Sequence, residues 1–281
     1  MNRIRRRFAD ITDGQLHMRC AGPADGAPLV MIHQSPGSSK QLEPLMTALA
    51  TRGWLCLAPD TAGNGDSDPL PMDQPEIPDL AQAAFAALSD IVDGPFDIYG
   101  SHTGASIGME IAIAHPDRVR SLTIEGMGLY SGGLQSEVLD RYAREIRPDA
   151  EATHLMKVWH FCRDQHLFWP YYNRTAEGRL PDGLPDDDTL HDFVVEVLKA
   201  MRSYHLSYRA AFRWRKAERL PLLKVPTLVM SSPSDMLHEY SQQVADLVPG
   251  ATCEVLPAWS DPAFHETTAQ MIDDFIGKAR A

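Results

Sequence analysis

Along most of the chain, short apolar runs alternate with longer stretches of helical period. That is the pattern of β-α-β units building a mostly parallel sheet. Pro28-Leu-Val-Met-Ile-His33 reads as a buried strand running into a loop from Gln34 to Ser39, with a helix from about Gln41 to Thr51 behind it. Trp54-Leu-Cys-Leu-Ala-Pro59 is the next strand, followed by a Gly/Asp turn segment from Asp60 to Asp68. Leu80 to Val92 is amphipathic helix. Phe96 to Tyr99 is a short strand that enters Gly100-Ser-His-Thr-Gly104, and Ala105 to Ala114 continues as a helix of small and aliphatic residues. Val119 to Glu125 is another strand.

The alternation then stops. From about Gly128 to Arg219 the pattern is helical and rich in aromatic residues, broken by a Pro/Asp/Gly loop at Leu180 to Asp188. The strand–helix rhythm resumes with Val225 to Ser231, a helix near Glu239 to Leu247, a strand from Thr252 to Leu256 and a last helix near Pro262 to Ala279. The expectation is an α/β core made of residues 1–127 and 220–281, with residues 128–219 inserted as a helical lid.

Charge removes one class of function. The 281 residues carry a formal net charge of −12, whereas a nucleic-acid surface needs excess Lys and Arg to displace counterions. The basic run Arg3-Ile4-Arg5-Arg6-Arg7 reads as a solvated terminal segment. No stretch approaches the roughly 20 apolar residues of a membrane span, and no apolar segment of a secretory signal follows the N-terminal charges. The four cysteines, Cys20, Cys56, Cys162 and Cys253, show neither C-x-x-C spacing nor a disulfide framework. A cytoplasmic protein is the default expectation. No phosphate loop, H-E-x-x-H or dinucleotide fingerprint is present, so neither cofactor nor metal is expected. The expected partner is a small-molecule substrate, and a homodimer is allowed but not required.

Five motifs come in a fixed order. They are His33-Gln-Ser-Pro-Gly-Ser-Ser39, Ala58-Pro-Asp-Thr-Ala-Gly-Asn-Gly-Asp-Ser-Asp68, Tyr99-Gly-Ser-His-Thr-Gly-Ala105, Ala114-His-Pro-Asp-Arg-Val119, and Val225-Pro-Thr-Leu-Val with Pro233-Ser-Asp235. Together they resemble the α/β-hydrolase superfamily, in particular its bacterial lid-bearing branch of esterases, dehalogenases, C–C hydrolases and lyases. The resemblance covers nearly the whole chain outside the insertion. It implies an α/β-hydrolase fold, a mostly parallel sheet flanked by helices.

In that family G-x-S-x-G makes a strained strand-to-helix turn that lifts its central side chain above the sheet. Here Gly100 and Gly104 flank His102, so a histidine stands where the nucleophilic serine is expected; Ser101 precedes it. The family's general base lies between the last strand and last helix, near Ala258 to Ser260 in this chain, where no histidine occurs. His265 and His238 are the stray candidates. Asp235 matches the family's acid after the seventh strand, and Glu125 matches the alternative acid at the end of the sixth. Either carboxylate beside His102 would fix the imidazole tautomer and raise its pKa. Asp235 also reads as a helix cap, and Glu125 as a structural acid. The oxyanion hole implied by the resemblance uses backbone donors, here the N–H of Thr103 and one from Ser35 or Gln34. Gln34 departs from the glycine usual there.

The inserted block supplies Trp159, Trp169 and Tyr204 among the aromatic residues expected to line an apolar pocket, with His238 and His265 as polar contributors. His102 has three readings. It is a general acid/base on a carbonyl substrate, giving lyase- or hydrolase-type chemistry without a serine nucleophile. It is an atypical nucleophile forming an acyl-imidazole. Or it is idle, in a protein that only binds a small ligand.

Overall fold

The computed structural model describes residues 3–280. Eight strands form one sheet: β1 (Arg5–Ile11), β2 (Gly14–Ala21), β3 (Ala27–Ile32), β4 (Trp54–Pro59), β5 (Phe96–Ser101), β6 (Val119–Glu125), β7 (Thr227–Ser231) and β8 (Thr252–Val255). They lie side by side in the order β1-β2-β4-β3-β5-β6-β7-β8. The pairs β1/β2 and β2/β4 are antiparallel and the rest are parallel. The fold is an α/β-hydrolase fold.

Parallel strands covered on both faces are mostly apolar along their length, without the alternation of a half-exposed strand. β3 shows why its run is unbroken. Leu29 and Met31 point to one face, where they meet α1 (Glu43–Thr51) and α10 (Phe264–Arg280). Val30 and Ile32 point to the other, toward α2 (Ile77–Ser89), α3 (Thr103–Ala114) and α9 (Ser241–Leu247). Each fully buried Leu or Ile of this kind contributes about 1.5–3 kcal/mol.

β1 and β2 were not resolved as separate strands by the sequence pattern, and they change the reading of the basic run. Arg5, Arg6 and Arg7 are solvated, but on an ordered edge strand paired to Met18–Cys20. Exposed cations on an edge strand oppose pairing with another sheet. The helix expected from Leu80 starts earlier, at Ile77, because Asp79 accepts a hydrogen bond from the Glu76 N–H at 2.8 Å and closes the first turn.

Between β6 and β7 the chain makes no strand. It forms α4 (Gly132–Arg141), α5 (Thr153–Leu167), α6 (Asp187–Lys199), α7 (Tyr204–Arg213) and the short α8 (Lys216–Arg219). These helices share a core of their own, centred on Val138, Tyr142, Phe161, Val197 and Phe212. Polar contacts seat them over the carboxyl ends of the strands. The Ser207 hydroxyl meets Ser35 Oγ at 3.1 Å and accepts from Asn64 Nδ2 at 3.0 Å, while Ser203 Oγ donates to the Gly63 carbonyl at 2.6 Å. No helix of the described residues is long and apolar enough to cross a membrane.

Candidate active site

The β5–α3 turn sets His102 at φ 52° and ψ −106°, a conformation that costs a residue with a Cβ on the order of 1–3 kcal/mol. Its neighbours must be glycine. A Cβ on Gly100 would run into the Gly104 backbone, and one on Gly104 into the Ile32 carbonyl. The His102 N–H donates to the Glu125 carbonyl at 2.9 Å, tying the turn to the end of β6.

The ring is held by Asp235. Its Nε2 lies 2.8 Å from Asp235 Oδ2, and the other carboxylate oxygen accepts the Leu237 N–H at 2.8 Å. Asp235 therefore caps the turn after β7 and binds the imidazole at once. In the neutral ring Nε2 carries the proton toward the carboxylate, which leaves a lone pair on Nδ1. Nδ1 has no hydrogen-bond partner among the described residues. Burial opposes an imidazolium here, but the Asp235 charge and hydrogen bond, helped by Glu125, outweigh it and raise the His102 pKa above its ordinary value.

Gly126 lies against this pair. Its φ is 63°, and a Cβ there would come within 2.7 Å of the His102 ring and collide with Asp235 Oδ2. The sequence pattern gave no sign of that role.

Of the two acids, only Asp235 bonds the imidazole. The Glu125 carboxylate instead accepts the Tyr99 hydroxyl, and both are buried. Burial pushes the Glu125 carboxyl up to about 7, against the Tyr99 hydrogen bond that favours its anion.

These groups line a cavity of about 290 Å³ between the sheet and the inserted helices. Thr103, Ser35 and Gln34 also line it, and among the described residues the N–H groups of Thr103 and Ser35 donate to no carbonyl. The 33–37 loop is fixed from behind. His33 Nδ1–H donates to the Gln34 carbonyl at 2.7 Å, and its Nε2 accepts the Thr61 N–H at 2.9 Å. Next to it, Asp60 accepts from Ser39 and from the Asp66 N–H and bonds His17. Burial would raise its pKa, yet these contacts hold its carboxyl well below the usual range. The ligand atoms of His17, Asp60 and Asp66 lie within 4.8 Å of one another. Both Asp60 oxygens are already engaged, so the trio ties loops together without offering a ready metal site.

The remaining sequence candidates divide. Trp169 lines the cavity and stacks on Tyr130 with ring centroids 6.0 Å apart. His265, on the first turn of α10, is exposed at the cavity's edge. Three expected pocket residues are placed elsewhere. Trp159 is on the outer face of α5, and 37% of its surface is exposed. Tyr204 is buried in the core of the inserted helices, its hydroxyl donating to the Arg144 carbonyl. His238 sits on a 3₁₀ turn with Nδ1 bonded to Ser231 Oγ at 2.8 Å, so its polar tip is spent on holding β7 to α9. The loop from Pro257 to Ala263 brings Trp259 to the cavity wall, in the stretch where a histidine base was sought. Lys216 and Tyr99 line the cavity as well; Lys216 lies in no motif, and Tyr99 opens the motif around His102 without being a candidate site residue there.

A family model described as alpha/beta hydrolase fold matches residues 27–268. A relative from Mycobacterium phage D29, provisionally named a non-heme haloperoxidase, is 33% identical over 227 residues, 76% of this chain and 74% of its own. A protein of Azorhizobium caulinodans, provisionally named carbamate hydrolase RutD, is 28% identical over 283 residues and 96% of each chain. Among solved structures, an enol-lactonase from Burkholderia xenovorans LB400 superposes with TM-score 0.75 at 19% identity, covering 96% of this chain and all of its own.

Proposed function

The chain belongs to the alpha/beta hydrolase fold family, and on that premise we propose that it is a hydrolase-type enzyme in which His102, at the family's serine position, acts as general acid/base on a small carbonyl compound. The observation that carries this reading is the 2.8 Å pairing of His102 Nε2 with Asp235, which leaves Nδ1 unengaged at the cavity. Nδ1 takes a proton from a water molecule as that water attacks the carbonyl carbon. The amides of Thr103 and Ser35 receive the developing oxyanion. The imidazolium, stabilised by Asp235, then gives its proton to the leaving group, and no covalent enzyme intermediate forms. Residues 128–219 act as the lid that keeps bulk water from the cavity, and its aromatic lining favours a compact, largely apolar substrate.

The relatives' names, a carbamate hydrolase and an enol-lactonase among them, fit acyl chemistry of this kind. The same lone pair on Nδ1 makes acyl-imidazole formation the second reading. A screen of aryl esters, carbamates and lactones tests both. His102→Ala should cut kcat by roughly 10²–10⁴-fold while KM changes little, and Asp235→Asn should cost less. Rapid-mixing traces should lack a product burst. Unchanged turnover in His102→Ala overturns the assignment, and a burst lost with His102 favours the covalent route.

A further inference from the structure

The inserted helices bring one charged side chain to the cavity that the reaction above does not use. Lys216, at the start of α8, is 7% exposed and lines the cavity. Its ammonium donates to the Ala211 carbonyl, and among the described residues no carboxylate lies within ion-pair distance of it. The other described lysines are either solvent-exposed or paired with acids, as Lys40 and Lys199 are. A buried ammonium without a counter-charge is unfavourable by several kcal/mol. Burial pulls the group down to about 8, which still leaves it mostly protonated at neutral pH.

Two further unpartnered nitrogens from the inserted helices border the same cavity. Gln165, on α5, has its Oε1 beside the Tyr208 hydroxyl at 3.5 Å, while its buried Nε2 has no partner. The next residue, His166, also lines the cavity, and its buried Nε2 is likewise unpartnered. Among the described residues the one carboxylate-bearing side chain lining the cavity is Glu125, at the end of β6. The inserted helices thus contribute a positive charge and unpartnered nitrogens to the cavity, while the sheet side contributes His102 and Glu125.

We propose that Lys216 is a specificity-determining residue that binds a carboxylate on the substrate, so that the natural substrate is a small anionic acyl compound with its reacting carbonyl toward His102 and its carboxylate toward α8. Such a ligand supplies the missing counter-charge to Lys216 and acceptors for the idle nitrogens of Gln165 and His166. The inference takes the location of the reacting end from the function proposed above, but the carboxylate preference is a binding property measurable without turnover.

Matched pairs of small ligands test it: phenylacetate against phenylacetamide, and 4-phenylbutyrate against 4-phenylbutyramide, titrated by calorimetry into the intact protein at pH 7. The wild type should bind each carboxylate at least tenfold more tightly than its amide. Lys216→Met should abolish the preference while amide affinity stays within threefold. That variant removes an unpaired buried charge and keeps the apolar stem, so it is expected to fold at least as well. The wild-type measurement needs no variant and stands by itself. Failure of the wild type to prefer the carboxylate in either pair, non-binding included, overturns the proposal. So does a preference that survives in Lys216→Met, or an equal loss of both ligands. His102→Ala should retain the preference. A carboxylate preference combined with full turnover in His102→Ala would sink the reaction assignment and leave this one standing.

Discussion

Glu125 should make the protein less stable as pH rises through neutrality, and Glu125→Gln should remove that loss. The carboxyl is 7% exposed, and its pKa is pushed from 4.5 to about 7. Below pH 4.5 both folded and unfolded chains carry the proton. Between 4.5 and 7 the unfolded chain has released it and the folded chain still holds it. The unfolded state then binds fewer protons, so stability falls with rising pH across this window and levels off above it. The displacement corresponds to about 3 kcal/mol, which in a chain of this size is a fall in melting temperature of roughly 6 °C. Glutamine keeps an acceptor for the Tyr99 hydroxyl and has no proton to lose. His102 acts in the same direction, since its raised pKa gives stability that is present below its ordinary value of 6.5 and lost above its folded value. Asp235 supplies most of what raises the His102 pKa and is present in both proteins, with Glu125 the smallest contributor, so the quantity to follow is the difference between them. Urea unfolding of wild type and Glu125→Gln at pH 5, 6, 7 and 8 should show the variant gaining about 2.5 kcal/mol relative to wild type between the ends of the series, the rest of the loss having already occurred below pH 5. A difference that is constant across that range would refute the argument, showing that Glu125 ionises in the fold as it does in water.

Two other outcomes follow from the geometry at the turn. Fluorophosphonate probes, which label activated serines, should leave the protein unmodified, because no histidine bonds Ser101 among the described residues; stoichiometric labelling abolished by Ser101→Ala would show that the reactive side chain is one position earlier. Gly126→Ala should cut turnover by on the order of 10²-fold by pushing the imidazole away from Asp235, with His102 itself untouched; wild-type kcat in that variant would show that the ring has room to spare.

The core strands were legible because parallel strands buried on both faces leave nearly continuous apolar runs, as at Leu29 to Ile32 and Leu228 to Met230. The turn carrying His102 was legible for a steric reason. Gly100 and Gly104 are demanded by backbone packing and remain whatever side chain stands between them. The order of the motifs also pointed to Asp235 and Glu125, but only three-dimensional contact separates them, since the Tyr99 hydroxyl that engages Glu125 has no signature in sequence. The inserted helices were recognisable as helices, yet which of their aromatic residues face the cavity was not. Trp159 and Tyr204 lie on inserted helices and Trp169 just past the end of one, and tertiary packing alone turns Trp169 to the cavity, Trp159 outward and Tyr204 into the helices' own core. Lys216 was invisible because burial, not residue type or spacing, makes it unusual.

On the function proposed above, placing the imidazole on the turn itself, directly against Asp235, has an evolutionary consequence. Where base and nucleophile are separate residues, the loop before the last helix is under chemical constraint. Here that loop carries Trp259 at the cavity wall and no histidine, so it need supply no base. The two positions are now epistatic. A serine at 102 by itself would face Asp235 with no imidazole between them, and a histidine in the loop by itself would find the elbow already filled. A three-residue arrangement at this turn would therefore require two coordinated changes, each unproductive alone.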